Sequence, residues 1–499
     1  MRVFLMYPGQ DFELKQPLPP NAADLIQDLE LNILFEEMAQ EDEFLEGVAR
    51  QAVLSSLDDP APIRYRQEIL ADCLKNPAVV REIYQITIQS IKNKQKHWMG
   101  IFSRYPSAIL SGGVQMLEMF VGLLRHLKQL ADEHGGEFES EGFQRFFGMV
   151  QRELDDEYFS EVETTLRELK FREGVLLSGE VGRGNEGTNY TLRKPRRGDL
   201  NWIQRFLPRK SRVYSFSIHP RDDHGARALE ELKDRGINQV ANVVAQSADH
   251  IDSFLKTLRL ELAFYIGCLN LSGQLARLGE PLTFPQPAVD SERSQTFSGL
   301  YDISLALIMN QRVVGNDLEA DGKDLVMITG ANQGGKSTFL RSIGQAQLML
   351  QCGMFVAAET FSANLCRGLF THYKREEDAS MKSGKLDEEL GRMSSIVGNI
   401  SSNCMVLFNE SFAATNEREG SEIARQVVSA LLEKQIKVFF VTHQFEFAHD
   451  FFDQDLENAV FLRAERLPDG ERTFKLIPGE PLQTSYGADL YKKIFGASS

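Results

Sequence analysis

Between Asn21 and about Arg172, apolar residues return every third or fourth position, as at Leu25, Leu29 and Ile33. That is the spacing of one buried stripe on a helix. The stretch therefore predicts long helices, the first with Asn21 as its N-cap, punctuated by Pro60, Pro62 and Pro106. The period then changes. Val175 to Gly179, a run of glycines at Gly182, Gly184 and Gly187, and Tyr190-Thr191-Leu192 read as two strands joined by a glycine-rich loop. Helix returns afterwards, with Leu255, Leu258, Leu262, Tyr265 and Leu269 in 3-4-3-4 spacing, and Gly279, Pro281, Pro285 and Pro287 end it. The final 200 or so residues alternate helical patterns with three short apolar runs, Leu325 to Ile328, Met405 to Phe408 and Val438 to Val441. Strands apolar on every residue are buried on both faces, so a parallel sheet between helices is expected. The chain thus reads as multidomain: an all-α region over 1–174, a small β-containing insertion over 175–222, returning helices over 223–290, and an α/β domain over 291–499.

Composition adds boundaries. With 499 residues, 42% hydrophobic and 25% charged, the chain has globular composition and room for several cores. The apolar N-terminal run is interrupted at Pro8 and Gly9, too early for a secretory or membrane segment, so no membrane role is expected. Five cysteines, Cys73, Cys268, Cys352, Cys366 and Cys404, occur singly, which points to neither a disulfide framework nor a zinc site and fits a reducing cytoplasm. A net charge of -16 argues against coating nucleic acid non-specifically. One segment runs the other way: Arg183 to Arg212 holds nine basic and two acidic residues, a net of +7, with Tyr190, Trp202 and Phe206 interleaved. Arg193, Lys194, Arg196, Arg197, Arg209 and Lys210 are its candidate contacts to DNA, and a merely solvated basic loop is the competing reading.

The chemistry concentrates in the α/β domain. Gly330-Ala331-Asn332-Gln333-Gly334-Gly335-Lys336-Ser337 follows an apolar strand, precedes a helical pattern beginning at Thr338, and satisfies G-x-x-x-x-G-K-[ST]. Glycines there let backbone N–H groups curl around phosphates, Lys336 can reach the β and γ phosphates, and Ser337 can ligate Mg²⁺. The strand ending at Phe408 delivers Asn409 and Glu410, the second a candidate to polarise an attacking water. Thr442-His443 ends the next strand, where a histidine can meet the γ-phosphate.

These segments resemble the MutS family of mismatch-repair ATPases. Thr329 to Thr338 resembles its P-loop, including the Asn and the double Gly, and further blocks follow in the same order. They are Val314-Gly315-Asn316-Asp317, Gly353 to Glu359, Leu369-Phe370-Thr371, Glu389-Leu390, Thr442 to Glu446 and Ser485-Tyr486-Gly487. The resemblance is strong over roughly residues 298–490 and weaker over the helices before them. It implies a P-loop NTPase domain of the ABC/MutS type preceded by a helical core and lever, with the insertion placed where the family carries a DNA clamp. It also implies ATP and Mg²⁺ as cofactors, a cytoplasmic homodimer, and Ser383-Gly384 reaching the partner's nucleotide.

The chain also departs from that pattern. Asn409 stands in place of the Walker B Asp, keeping an oxygen for the metal shell but not the charge. Ser411 to Asn416 replaces a glycine-rich run, and Tyr301-Asp302-Ile303 stands where the family has Arg-His-Pro. The helical core begins within about twenty residues of Met1, where mismatch-recognising members carry further N-terminal domains, and Phe44-Leu45-Glu46 lies in a helical pattern, so direct mismatch reading is not expected. Leu110-Ser111-Gly112-Gly113-Val114-Gln115 mimics a transporter signature but precedes the P-loop, so no nucleotide role is assigned to it. Two functions fit: an ATP-hydrolysing dimer that binds distorted or branched DNA in repair or recombination, or a low-turnover nucleotide-gated switch acting on a protein partner.

Overall fold

The computed structural model describes residues 1–97, 105–172, 174–194, 214–288, 293–330, 333–375, 384–467 and 472–482. They divide into two compact units, one made of residues 1–3, 81–137 and 145–259, the other of 4–80, 138–144 and 260–499.

The first half of the chain is helical: α1 (Ala22–Asp28), α2 (Leu31–Ala39), α3 (Glu43–Leu54), α4 (Pro60–Lys75), α5 (Pro77–His97), α6 (Pro106–His134), α7 (Glu141–Glu153) and α8 (Asp156–Glu168). Asp42 and Asp59 cap α3 and α4, accepting from backbone amides, and Pro60 opens α4 at a position where a missing N–H costs nothing. Two details differ from the periodicity. Asn21 does not cap α1: its backbone is nearly helical (φ -95, ψ 16), and its Nδ2 instead donates to the Leu369 carbonyl at 2.7 Å. The stripe Leu25, Leu29, Ile33 is also broken, because Glu30 turns left-handed (φ 50) between α1 and α2. Tertiary donors take the carbonyls a continuous helix would have used: Gln345 Nε2 donates to Leu29 O at 3.0 Å and Ser304 Oγ to Glu30 O at 3.1 Å.

In the first unit, β1 (Leu177–Val181) and β2 (Gly187–Leu192) pair as an antiparallel hairpin whose residues are mostly exposed. The helix α9 (Asp223–Leu278) follows, 56 residues long, and ends at Gly279, whose φ of 73 suits only a glycine comfortably. Helix α6 is long and apolar enough by composition to cross a membrane, but half of its apolar window is buried inside the protein. Gly113 in that helix lets α9 come close, since a Cβ there would sit 2.8 Å from Val244. The Leu-Ser-Gly-Gly run is thus part of a helix contact.

The second unit contains the sheets. Six strands run in the order β12 (Arg472–Pro478), β11 (Ala459–Arg466), β6 (Leu325–Thr329), β10 (Lys437–Val441), β9 (Met405–Asn409), β8 (Leu369–Tyr373), parallel except for the edge strand β12. Every residue of β6, β8 and β10 is buried, which explains the apolar runs Leu325 to Ile328 and Val438 to Val441 in β6 and β10. Helices α11 (Lys336–Gln351), α12 (Lys385–Asn399), α13 (Glu417–Glu433) and α14 (Phe445–Asp453) connect these strands. A second, four-stranded sheet, β3 (Gln286–Ala288), β7 (Thr360–Asn364), β4 (Gln295–Leu300) and β5 (Asn316–Glu319), was not legible in the periodicity. Its strands are three to six residues long and mix polar with apolar positions. The short α10 (Ile303–Met309) lies between β4 and β5 in the chain, capped by Asp302.

An extended segment near the N-terminus is fastened to α9 within this unit. The fully buried Glu261 carboxylate accepts from the amides of Leu5 (2.5 Å), Met6 (3.3 Å) and Phe12 (3.1 Å), and Tyr265 donates to Leu5 O at 2.5 Å. Burial nevertheless outweighs the three N–H donors and pushes the Glu261 pKa from the ordinary 4.5 up to about 7. Between those values the unfolded chain has released this proton while the folded chain keeps it. Stability from this group is therefore full below about pH 4.5 and is lost as pH rises through about 7, on the order of 3 kcal/mol in all. Denaturant titrations at several pH values from about 5 to 8 should show wild type losing stability with pH relative to Glu261→Gln, which cannot titrate. Parallel pH profiles for the two proteins would refute this account.

Candidate functional site

The loop from β6 to α11 has the backbone shape its glycines predict. Gly330 (φ 116), Gln333 (φ 60) and Gly335 (φ 86) are all left-handed. A Cβ on Gly330 would press 2.9 Å from the Ala464 amide. The turn sets the N-terminus of the 16-residue α11, with its free N–H groups and positive dipole end, at the end of β6, a ready site for an anion. Ala331 and Asn332 lie outside the described residues. Gln333 accepts from Arg472 at 2.7 Å, and Gly334 is buried.

Lys336 is only 4% exposed and its Nζ donates to Gly330 O at 3.0 Å, so the ammonium is folded back over the loop. Burial pulls its pKa below the usual lysine value, and the Glu410 carboxylate opposes that. Ser337 Oγ donates to Asn409 Oδ1 at 2.9 Å, joining the two candidate metal ligands between the first turn of α11 and the end of β9. One hydroxyl and one amide oxygen are hard donors of the kind Mg²⁺ takes, with phosphate oxygens and waters completing an octahedron. Among the described residues no cluster of three or more His, Cys, Asp or Glu could hold a metal alone.

Glu410 is half-buried and left-handed (φ 53), the fully buried Phe412 is left-handed too (φ 60), and the Glu410 amide donates to Val441 O at 2.9 Å. His443, just past the end of β10, places Nδ1 3.9 Å from Glu410 Oε2, beyond hydrogen-bond distance. The His443 imidazole is the largest influence on Glu410 and holds its carboxyl below the ordinary range, against burial. The carboxylate is ionised at neutral pH. Lys336, Ser337, Asn409, Glu410 and His443 thus meet at the carboxyl ends of β6, β9 and β10, where open α/β sheets bind ligands.

Beside this loop is a cavity of about 440 Å³, bounded by Tyr301, Val314, Asn316, Gly335, Thr338 and Phe474. Asn316 fixes the β12 end of it, donating to Phe474 O at 3.3 Å and accepting from the Leu476 amide at 2.8 Å. Phe474 is 47% exposed, and Tyr301 is buried in place of the family's arginine. The cavity is large enough for a planar heterocycle next to the anion site. Sequence reasoning missed Phe474 and Arg472, since nothing local marks an edge-strand residue as facing a loop some 140 positions earlier.

The remaining candidates are dispersed. Gly384 is the N-cap of α12, and Ser383 lies outside the described residues. Arg193 donates to Ser178 Oγ at 2.9 Å across the hairpin, and Lys194 pairs with Glu168 at 3.0 Å while staying 75% exposed. Arg196, Arg197, Arg209 and Lys210 lie outside the described residues.

Comparison with known proteins gives two family matches: residues 58–278 to the MutS2 N-terminal domain and residues 326–495 to MutS domain V. The human MutS protein homolog 4 is 28% identical over 244 residues, 46% of this chain and 26% of its own length. The DNA mismatch repair protein MutS of Syntrophomonas wolfei is 31% identical over 188 residues, 37% of this chain and 22% of its own. The Endonuclease MutS2 of Lactobacillus helveticus is 27% identical over 218 residues, 41% of this chain and 27% of its own. The chain thus matches about a quarter of each relative's length.

Gly335 gives the site a direct test. With φ 86, and a would-be Cβ 3.2 Å from Phe474 O, Gly335→Ala should cost about 1–2 kcal/mol in denaturant unfolding. An alanine variant as stable as wild type would mean the loop is not held in this conformation.

Proposed function

This chain belongs to the MutS family, and on that premise we propose that it is an ATP-binding and ATP-hydrolysing homodimer that engages distorted or branched DNA in repair or recombination. The observation that carries the reading is the convergence of Lys336, Ser337, Asn409, Glu410 and His443 at one sheet edge, beside a cavity fit for a base.

In this reading the α11 N-terminus and Lys336 hold the β and γ phosphates, and the Tyr301–Phe474 cavity takes the base. Ser337 and Asn409 hold Mg²⁺, which when bound neutralises charge on the phosphate oxygens. Glu410 orients the attacking water, and His443 meets the γ-phosphate. Asn409 contributes orientation without charge, so metal affinity and turnover are lower than a carboxylate would give. ATP drives closure of the dimer, with Ser383 and Gly384 at the partner's nucleotide, only in so far as it binds the closed state more tightly. Levers pass that change to the hairpin and its basic segment, where shape and deformability of the DNA supply recognition. A cytoplasmic location goes with this role.

The test is ATP turnover by the full chain alone and with duplex, single-stranded and four-way-junction DNA, with binding followed across salt. Lys336→Ala should reduce turnover on the order of 10²-fold or more, Glu410→Gln should keep ATP binding while losing turnover, and one DNA form should change the rate. ATP binding with neither Lys336-dependent turnover nor DNA binding would replace this reading by a nucleotide-gated switch for a protein partner. Separately, Asn409→Asp should tighten Mg²⁺ binding and raise kcat. An unchanged Mg²⁺ dependence would remove residue 409 from the metal shell.

A further inference from the structure

The loop that carries Glu410 is unusual in its cost. Glu410 and Phe412 are both left-handed non-glycine residues, at φ 53 and φ 60, and such conformations persist only where surroundings over-determine them. Part of that surrounding comes from a histidine in β8. His372, the fourth of the five residues of β8, is fully buried. Its Nε2 lies 2.9 Å from the main-chain oxygen of Glu389 in α12, and its Nδ1 lies 2.7 Å from Ser411 Oγ, the residue between the two strained positions. The ring stacks on Phe412 with centroids 5.1 Å apart and an interplanar angle of 23°.

The tautomer follows from the partners. A carbonyl only accepts, so Nε2 carries the proton to Glu389 O and Nδ1 is an acceptor; the single Ser411 hydroxyl proton is shared between Nδ1 and the His372 carbonyl, to which Ser411 Oγ donates at 2.5 Å. Burial, the largest influence, drives the imidazole pKa down to about 4, consistent with a neutral ring that makes one donated and one accepted bond. The Glu389 carboxyl belongs to the same seam: it is buried, its Oε2 accepts no hydrogen bond among the described residues, and the Phe412 amide favours its ionised form against burial. The far side of the loop is closed by Gln444 Nε2 donating to Phe412 O at 3.2 Å. Gly420 in α13 lets that oxygen approach, since a Cβ there would be 2.3 Å away.

We propose that His372 is a positioning residue that ties helix α12 to the Glu410 loop, so that movement at the N-terminus of α12 changes the aim of Glu410. The inference rests on the ATPase reading above and deepens it. The segment at Ser383-Gly384, assigned there to the partner subunit's nucleotide, leads directly into α12, and His372 is the polar link from that helix to the residue before Phe412. A partner engaged at α12 therefore reaches the water-orienting carboxylate through one ring and one hydroxyl.

The test compares full-length wild type, Ser411→Ala, His372→Phe and His372→Gln by thermal melting, binding of a fluorescent ATP analogue, and steady-state ATP hydrolysis. Phe keeps the stack on Phe412 but loses both hydrogen bonds, whereas Gln offers one N–H and one acceptor again. Ser411→Ala and His372→Phe should bind nucleotide within roughly twofold of wild type yet lose roughly tenfold to a hundredfold in kcat, and His372→Gln should recover much of the loss. Full kcat in Ser411→Ala and His372→Phe overturns the proposal, and so does a fall in binding, kcat and melting temperature together without rescue by Gln, which would mark a purely structural residue. Wild type that lacks Lys336-dependent turnover fails the ATPase reading itself and takes this proposal with it.

Discussion

The site depends on the hydrogen-bonded register of three parallel strands. β10 pairs with β6 so that Val441 lies opposite Ile328, and with β9 so that Val441 lies opposite Asn409. That register ends all three strands at one level and delivers Gly330, Asn409 and His443 to a common edge. A slip of one residue would turn each alternating side chain to the other face. What prevents it is burial on both faces: Phe408 stacks on Phe440 at 4.9 Å and Phe447 meets Phe440 at a tilt, 4.8 Å away, within the same core as Val406, Val438 and Leu325. Here the hydrophobic effect acts through register, fixing polar groups that it does not itself touch.

Strain at the edge is the counterpart of that rigidity. The turn before α11 places strain on Gln333 and uses glycine at 330 and 335, but the loop after β9 offers no glycine and forces Glu410 and Phe412 into the left-handed region. Each such residue costs of the order of 1–2 kcal/mol. The compensation is visible in the fully buried Phe412 ring, its stack on His372, and the main-chain bond from Glu410 to Val441. The family's glycine-rich run would have relieved this strain. Ser411 to Asn416 instead exchanges backbone freedom for side-chain fastening.

That exchange also explains what was legible in the sequence. The phosphate-type loop is written contiguously, because backbone curl, helix start and lysine must fall within eight residues, so Gly330 to Ser337 could be read directly. The long helix and the hairpin were likewise legible, each from one local period. The break at Glu30, the second sheet, and the placement of His372 and Phe474 were not, because each is decided by a partner far along the chain: Gln345 for Leu29, Glu389 and Ser411 for His372, Asn316 for Phe474. One signal was available. A histidine inside Leu369–Tyr373, an otherwise buried strand, has to find hydrogen-bond partners, and that alone marks it as fastening something.

The charge balance at the edge bears on how Glu410 works. An Asp at position 409 would share the task of countering Lys336; with Asn there, Glu410 is the carboxylate that opposes the desolvation of the buried ammonium. Lys336 and His443 in turn hold the Glu410 carboxyl below its ordinary range. A carboxylate held low is a weak proton acceptor near neutral pH, because base strength falls with pKa. In the role proposed for it, Glu410 is therefore better suited to aligning a water and stabilising positive charge that develops on it than to removing a proton early. On such a site the accuracy of its aim matters more than its basicity, and a rate controlled by aim is one that the fastening of the 410–412 loop can govern.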